Sequence, residues 1–464
     1  MLRSPSRKVR AAILPVAVAT LAFGANTAFG DAPSAPLPTM NCADTNYTGH
    51  TVNSYGATFQ IKAEQNSFLP EYAADCGSNA ATVTYNSPLP TKAGSGRCQD
   101  LVVNHAPDSA ISSAYTTVPY CGSDDPLNSS QWVTANSGGP SNNPAFVGHV
   151  INQIPVAVGA DAIIYNSGAA SCPSGIDLNG TTLSGIFAGT ITNFNQLSGC
   201  TGSQPIVPIV RNATSGTTCI FKSFLLKYDP ATWAPIVENT PATPNNNCGS
   251  TTWPGAWTQE NGNPGLVTAV SATAGGISYP DLASNVDATT GALINPEARV
   301  QTRVESATSA AGENAYAGST SAPGAANCPT TAATPPSTAS PGWDAVTIND
   351  SATNYPICGL TYIFIYSNCG AELTAQGDLN ATADCEIGQD VVNAALHTSA
   401  QAALGNDHYA ALPQNVLAVA RAGVATVTEG TATPPQSLLC TVGDLVEGLN
   451  VTLGDLVEGV VGCP

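Results

Sequence analysis

The chain has 464 residues, with 13 Lys and Arg against 32 Asp and Glu, and a formal net charge of −19. Four of the basic residues lie within the first 10 positions, so the remainder is more acidic still. So acidic a surface repels phosphate backbones and anionic lipids, which excludes nucleic acid and anionic membranes as partners.

The first 30 residues have the pattern of a secretory signal peptide. Basic residues between Arg3 and Arg10 precede an apolar run over 11–23, and small residues follow up to Gly30. We expect cleavage near Gly30 and a secreted product that is periplasmic or associated with the cell wall. We expect no membrane anchor, because no later run is long and apolar enough to span a bilayer.

All 14 cysteines follow this segment. An even number in an exported chain predicts up to seven disulfides, although connectivity cannot be deduced from sequence. Plausible local bridges are Cys172–Cys200, Cys219–Cys248 and Cys440–Cys463. No Cys-x-x-Cys pair occurs and the histidines are scattered without ligand spacing, so we predict no metal and no cofactor.

Strand and helix patterns alternate along the chain. Buried strands are predicted at 154–158, 162–165, 205–210 and 362–366. Helices are predicted at 217–228, 264–272, 300–311, 391–404 and 416–425. This alternation predicts an α/β architecture with largely parallel sheets, and the length predicts two domains or lobes.

Two segments stand outside this alternation. Residues 306–342 are rich in Ser, Ala, Thr, Gly and Pro, which fits a linker or a long surface insertion, and Cys328 favours the insertion. Near the C-terminus, the sequence of 443–448 recurs at 454–459. A disulfide-closed loop packed on the body is favoured there over a docking element, because two copies are too few for a solenoid.

The segment from Arg211 to Thr218 carries the clearest chemical signal. An arginine is followed by small residues that open a helical pattern, with Ser215 at the N-cap position. Helix N-termini attract oxyanions through unpaired N–H groups and the helix dipole. Such a motif more often forms a helix cap that binds no ligand, so other segments must decide whether it belongs to an anion-binding site.

Three further segments precede this one: Gly56-Ala57-Thr58-Phe59, Gly94-Ser95-Gly96 and Gly122-Ser123-Asp124-Asp125-Pro126-Leu127. In their order and residue identities, and together with residues 178–194, these segments resemble those of the phosphate-binding proteins of ABC importers. The resemblance extends over about residues 53–427. It rests on the whole set, since each segment alone is typical of a turn or a strand end.

The resemblance implies a two-lobed α/β fold of the type II periplasmic-binding-protein class, with hinge crossover strands, many disulfides and a C-terminal extension. The implied organisation is a signal peptide at 1–30, lobe 1 at 42–150, lobe 2 at 151–354, the return of lobe 1 at 355–430 and the extension at 431–464. The implied phosphate-binding residues are Thr58, Phe59, Ser95, Asp124, Arg211, Ser215, Gly216 and Thr217.

Asp124 is the unusual member of this set. Phosphate keeps a proton near neutral pH and sulfate keeps none, so a carboxylate can accept a hydrogen bond from phosphate only. We expect Arg211 to hold Asp124 ionised. Three departures from the family are Gln60 in place of proline, Ala213 in place of a carboxylate that partners the arginine, and a longer approach to Ser95, which leaves Ser87 as an alternative donor.

The function implied is capture of inorganic phosphate for delivery to a membrane permease and its ATPase, by a monomer. Alternatives are phosphate scavenging or sensing, binding of another tetrahedral oxyanion, and a secreted structural or wall-associated role. An enzyme is not expected, because no Gly-x-Ser-x-Gly motif occurs and Ser215 has no histidine in its segment.

Overall fold

The computed structural model describes residues 36–107, 115, 118–237, 248–301, 314–318, 325–348 and 353–428. The strands described are β1 (Thr51–Gly56), β2 (Thr82–Tyr85), β3 (Cys121–Ser123), β4 (Ile151–Ala160), β5 (Ile164–Tyr165), β6 (Asp177–Leu178), β7 (Val207–Arg211), β8 (Thr258–Glu260), β9 (Gly276–Ser278), β10 (Arg299–Gln301), β11 (Asn314–Ala315) and β12 (Cys358–Tyr366).

The α-helices described are α1 (Ile61–Ala63), α2 (Leu69–Cys76), α3 (Ser95–Asn104), α4 (Ser129–Asn136), α5 (Gly180–Ala188), α6 (Gly216–Leu226), α7 (Pro230–Val237), α8 (Gly262–Ala272), α9 (Cys369–Ala375), α10 (Ala381–Ala395), α11 (Thr398–Ala403) and α12 (Gln414–Val424). None of the helices described combines the length and apolar composition that crossing a bilayer requires.

The strands form two main sheets. The first has the order β2-β1-β3-β12-β4, and the second has the order β5-β9-β7-β8, beside a small β11-β10-β6 sheet. Parallel pairs, β1 with β2 and β3, and β7 with β8 and β9, share the sheets with antiparallel ones. The sheets are therefore mixed rather than largely parallel, because β12 runs against both β3 and β4.

β4 and β12 connect the two sheets. All ten residues of β4 are buried, including the polar Asn152 and Gln153, as expected for a strand covered on both faces. The two strands pair from Ile151 opposite Tyr366 to Ala160 opposite Cys358. Beyond β4, the Ala162 N–H donates to the Pro280 carbonyl at 2.8 Å, close to β9 of the second sheet. The predicted two-lobed α/β fold is confirmed, with β4 and β12 as its crossover strands.

Six disulfides occur in the described residues: Cys42–Cys76, Cys98–Cys121, Cys172–Cys200, Cys219–Cys248, Cys328–Cys358 and Cys369–Cys385. Two of the three predicted bridges are thus confirmed. Cys440 and Cys463, the signal peptide at 1–30 and the extension at 431–464 lie outside the described residues.

The predicted helices at 217–228, 264–272 and 416–425 correspond to α6, α8 and α12 within two residues. The prediction of a helix at 300–311 is wrong at its start, because Val300 lies in β10 and pairs with Leu178 of β6 and Ala315 of β11; residues 302–311 lie outside the described residues. Those pairing partners are distant in sequence, so a local pattern could not reveal them. The predicted boundaries between lobes remain predictions.

Candidate anion-binding site

Ser95 joins three of the predicted segments. It is the first residue of α3, and its hydroxyl accepts the N–H groups of Asp124 and Gly216, each at 3.0 Å. The same hydroxyl donates to Asp124 Oδ2 at 3.4 Å, which uses its full capacity of one donor and two acceptor positions. The structure therefore brings Ser95, Asp124 and Gly216 together.

The start of α6 approaches Asp124 closely. A Cβ at Gly216 would lie only 2.5 Å from Asp124 Cβ, so only glycine permits this contact. Ser215 caps the helix, because its hydroxyl accepts the Thr218 N–H at 3.3 Å. The Ser215 N–H donates to the Gly249 carbonyl at 2.9 Å. The N-cap predicted at Ser215 is confirmed, while the Ser215 and Gly216 N–H groups donate to protein acceptors here.

Arg211 ends β7 and is buried, with 1% of its surface exposed. Its Nη1 donates to Ser215 Oγ at 2.9 Å, and Nη2 donates to the Ala93 carbonyl. Within the described residues, its Nε has no hydrogen-bond partner. The Nε of Arg211 is therefore a buried donor that is available to a ligand. Ala213 supplies no carboxylate to fix the guanidinium.

Asn263, near the start of α8, completes the support of Arg211. Its Oδ1 accepts from Arg211 Nη1 at 3.2 Å, and its Nδ2 donates to Thr217 Oγ1 at 3.2 Å. The Asn263 N–H donates to Thr58 Oγ1 at 3.1 Å. This residue was missed from sequence. The available signal was its place at a helix start after β8, beside β7 and α6.

Phe59 and Gln60 pack beside these donors. Phe59 follows Thr58 in a 3-10 turn after β1; its ring lies 6.1 Å from that of Tyr409, whose hydroxyl donates to the Phe59 carbonyl. Gln60, which replaces the family's proline, donates from Nε2 to Thr361 Oγ1 at 2.6 Å and to the Tyr362 carbonyl at 2.5 Å. Gln60 therefore anchors this turn on β12.

Asp124 is buried and carries several opposing influences. Burial raises its pKa to about 7, and this effect outweighs both the hydrogen bond from Thr361 Oγ1 and the charge of Arg211, which lower it. The Thr361 bond is 2.7 Å long and ends on Oδ1. Arg211 thus lowers the pKa of Asp124 as expected, but the loss of hydration outweighs the attraction of the guanidinium.

Two more buried carboxyls face this region and were missed from sequence. Asp161 follows β4 directly, and its backbone forms an isolated antiparallel β-bridge with the backbone of Asp281. Asp281 caps the 3-10 turn Leu282–Asn285, and burial raises its pKa to about 6. The signal available for Asp161 was a single acidic residue between apolar runs. Burial also lowers the pKa of Arg211, whereas its acidic neighbours raise it.

The predicted residues thus come from both sheets and meet at the ends of β1, β3 and β7 and at the starts of α3 and α6. Ligands of open α/β folds bind outside the carboxyl ends of such strands. The chain belongs to the PBP superfamily, whose domain model matches residues 63–376.

Three known proteins illustrate this relationship. A "Phosphate-binding protein" from an unknown prokaryotic organism is 27% identical over 326 residues, which are 67% of this chain and 81% of the relative. "Alkaline phosphatase L" of Pseudomonas aeruginosa PAO1 is 27% identical over 282 residues, covering 60% of this chain and 68% of the relative. The solved "Phosphate-Binding Protein from Stenotrophomonas maltophilia" superposes with a TM-score of 0.57 at 22% identity, covering 83% and 97% of the two chains.

Proposed function

We propose that the protein captures inorganic phosphate between its lobes. The observation that carries the proposal is the cluster around the Ser95 hydroxyl, which joins Asp124 to the start of α6 beside the buried Arg211. The names of the relatives support the same ligand. The proposed phosphate-binding residues are Thr58, Phe59, Ser95, Asp124, Arg211, Ser215, Gly216 and Thr217, with Ser95 preferred to Ser87 because of these contacts. On binding, the Ser95 hydroxyl and the N–H groups of Ser215 and Gly216 would exchange the protein partners they have here for the anion.

Asp124 would select phosphate over sulfate in a pH-dependent way. Above its pKa of about 7, the carboxylate accepts a hydrogen bond from phosphate and repels sulfate, which has no proton to donate. Below that pH, the protonated acid can donate to sulfate. We therefore expect sulfate to compete better as pH falls through about 7.

Isothermal titration with phosphate and with sulfate tests both statements. We expect phosphate binding at about 1 µM or tighter and a sulfate affinity lower by at least two orders of magnitude, about 3 kcal/mol. Asp124→Asn should lower the phosphate-to-sulfate affinity ratio at least about tenfold, because an amide donates at every pH.

The matched control is Asp125→Asn. Asp125 is adjacent and buried, and burial likewise raises its pKa to about 7. Its carboxylate faces the sulfur of Cys248 at 3.8 Å rather than the proposed site. An affinity ratio that falls equally in both variants would remove Asp124 from the site. Silence with both anions would instead favour a structural or wall-associated role.

We also propose that the protein binds without catalysing a reaction. The relative named "Alkaline phosphatase L" makes hydrolysis the enzyme alternative to test. Purified protein incubated with a chromogenic phosphomonoester should release no product above the level of an Arg211→Ala variant. Turnover abolished by that substitution would overturn the pure-binder proposal.

Delivery to a membrane permease and its ATPase is the role we propose for the captured phosphate, with the protein acting as a monomer outside the cytoplasm. Uptake of labelled phosphate by cells at limiting concentration tests this role. Loss of uptake in a deletion strain, restored by the native chain and not by Arg211→Ala, is the expected result. Unchanged uptake would favour scavenging or sensing.

A further inference from the structure

Asp161 is a buried carboxyl group whose side chain makes no hydrogen bond within the described residues. Its side chain is fully buried, and within the described residues neither carboxylate oxygen has a hydrogen-bond partner. Only its backbone is engaged: the N–H donates to the Ile357 carbonyl at 2.9 Å, and its carbonyl accepts the Tyr355 hydroxyl at 2.7 Å. Burying an ionised carboxylate without a hydrogen-bond partner costs several kcal/mol of free energy. Protonation of the carboxylate would remove this cost.

The surroundings of Asp161 are dominated by negative charge. The groups that face it electrostatically are Asp124, Asp281, Arg211, Tyr279 and Tyr355. With all three carboxyls ionised, the single guanidinium of this group leaves an excess of negative charge. An entering oxyanion would add to that excess in a region with little water to screen it.

The three carboxyls are not equally able to stay ionised. Asp124 accepts hydrogen bonds from the hydroxyls of Thr361 and Ser95. Asp281 accepts the N–H of Ser284 at 2.9 Å and its hydroxyl at 2.7 Å. Asp161 accepts none, so it is the carboxyl that a proton neutralises at the least loss of other interactions.

We propose that Asp161 couples anion capture to the uptake of one proton from solvent. The inference rests on the proposed function. As the anion enters, a solvent proton binds a carboxylate oxygen of Asp161 and offsets one unit of the negative charge that the anion brings. Asp161 thereby favours capture at lower pH without contacting the ligand. Burial first, and then the charges of Asp124 and Asp281, raise its pKa well above the ordinary value.

Calorimetric titration of the full chain with inorganic phosphate, in buffers of different ionisation enthalpy, counts the protons taken up. The native protein should take up as much as about one more proton than Asp161→Asn somewhere between about pH 6 and about pH 10. In that window its dissociation constant should rise up to about tenfold more per pH unit than that of the variant. Asp44→Asn, which removes an exposed carboxylate, is the matched control and should behave like the native protein.

The outcomes separate the two proposals. Phosphate binding with equal proton uptake in the native protein and Asp161→Asn would overturn this inference and leave the proposed function intact. The ionisation of phosphate itself is common to all three proteins and cancels in the comparison. Absence of any phosphate binding would overturn both.

A second measurement serves if Asp161→Asn fails to fold. Infrared difference spectra of the native protein with and without phosphate should show a new protonated-carboxyl band as phosphate binds. The absence of that band throughout the pH range would overturn the inference.

Discussion

Arg211 is fixed by neutral oxygens instead of by a carboxylate two residues away. The Ala93 carbonyl, Ser215 Oγ and Asn263 Oδ1 receive its Nη hydrogens, while Nε remains unpartnered within the described residues. A planar fork held in this way presents a donor in a defined direction, which a flexible ammonium cannot do. Arg211 is therefore restrained even without a carboxylate at position 213, but by neutral oxygens.

We predict that Arg211→Lys weakens phosphate binding about 100-fold, equivalent to about 3 kcal/mol, although the charge is kept. Lysine cannot reproduce three directed contacts at once. Titration calorimetry measures the loss. Arg299→Lys, at a partly exposed ion pair with Asp177, is the control and should leave the affinity unchanged. Equal affinity in the native and Arg211→Lys proteins would show that charge alone suffices.

The candidate site could be predicted from sequence only where its residues lie in short motifs. Ser95, Asp124, Arg211 and Ser215 lie in such motifs, and their side chains or N–H groups meet. Asn263, Thr361 and Asp161 come from segments whose local patterns report only a helix start or a buried strand. Their contacts depend on how those segments cross, which a local pattern does not contain.

The loop that begins at Cys248 supports the start of α6. The Cys219–Cys248 disulfide ties the loop to the helix, and the Gly249 carbonyl accepts the Ser215 N–H at 2.9 Å. Lys222, one turn further along α6, donates to the carbonyls of Ser250 and Thr252 at 2.7 and 2.8 Å. Because burial lowers the pKa of Lys222 to about 7, its hold on the loop includes charge only below that pH.

We predict that replacing Cys219 and Cys248 by alanine costs about 3 kcal/mol of unfolding free energy and weakens phosphate binding about tenfold. The loss of affinity follows from release of the loop that orients Ser215. Chemical denaturation and calorimetry measure the two effects.

The chain provides a close control in Cys172–Cys200. That bridge spans 28 residues, against 29 for Cys219–Cys248, but neither of its cysteines lies within ten residues of the proposed site in sequence. Its removal should cost a similar unfolding free energy while phosphate affinity is retained. Equal losses of affinity would mean that the effect is general destabilisation.

At the level of elements, α6 shows what local patterns can predict. Its cap and apolar spacing indicated a helix at 217–228, and the helix is Gly216–Leu226. Val300 shows the limit. A short strand is defined by partners at Leu178 and Ala315, more than one hundred residues before it and about fifteen after it, so its local sequence was compatible with a helix.

Several acidic side chains are buried in the described part of the chain. Burial raises the pKa of Glu64 to about 8 and that of Asp125 and Glu297 to about 7. Each of these groups binds a proton more tightly folded than unfolded. Its contribution is therefore fully present below the ordinary pKa and is lost as pH rises through the folded value. Stability should fall from about pH 5 to about pH 8, and the net charge of −19 acts in the same direction.

Glu64→Gln tests this dependence. Glu64 Oε1 has no partner within the described residues, and Oε2 accepts only a 3.4 Å bond from Tyr120. We predict a gain on the order of 2 kcal/mol in unfolding free energy at about pH 8, and little change at about pH 5. Thermal and denaturant unfolding at the two pH values measure it. A gain of equal size at both would refute the titration of Glu64 as the cause.

The pKa of Glu372 is shifted in the opposite direction, below its ordinary value. His105 and His149 donate to its two carboxylate oxygens at 2.9 and 2.6 Å, and although burial opposes them, the pKa of Glu372 is lowered. Its contribution to stability is lost only as pH falls below the ordinary value for a glutamate. The decline in stability above about pH 5 therefore does not arise from Glu372.

The two-lobed architecture was predictable only through family resemblance, since periodicity gave no more than α/β. The chain leaves the first sheet through β4 and returns to it through β12, which pairs beside β4. This pairing is a property of the topology. Residues 362–366 carry a strand pattern but nothing that identifies their partner. A chain-wide relationship supplied what the local patterns lacked.

In every bridge of the described residues, a cysteine is joined to the next cysteine along the chain, and the spacings run from 16 to 34 residues. No bridge among them encloses another, so each native pair can close as soon as its second thiol arrives. A chain delivered amino end first to an oxidising compartment would thus acquire its native cross-links in order of arrival, with no need for an isomerase to exchange them.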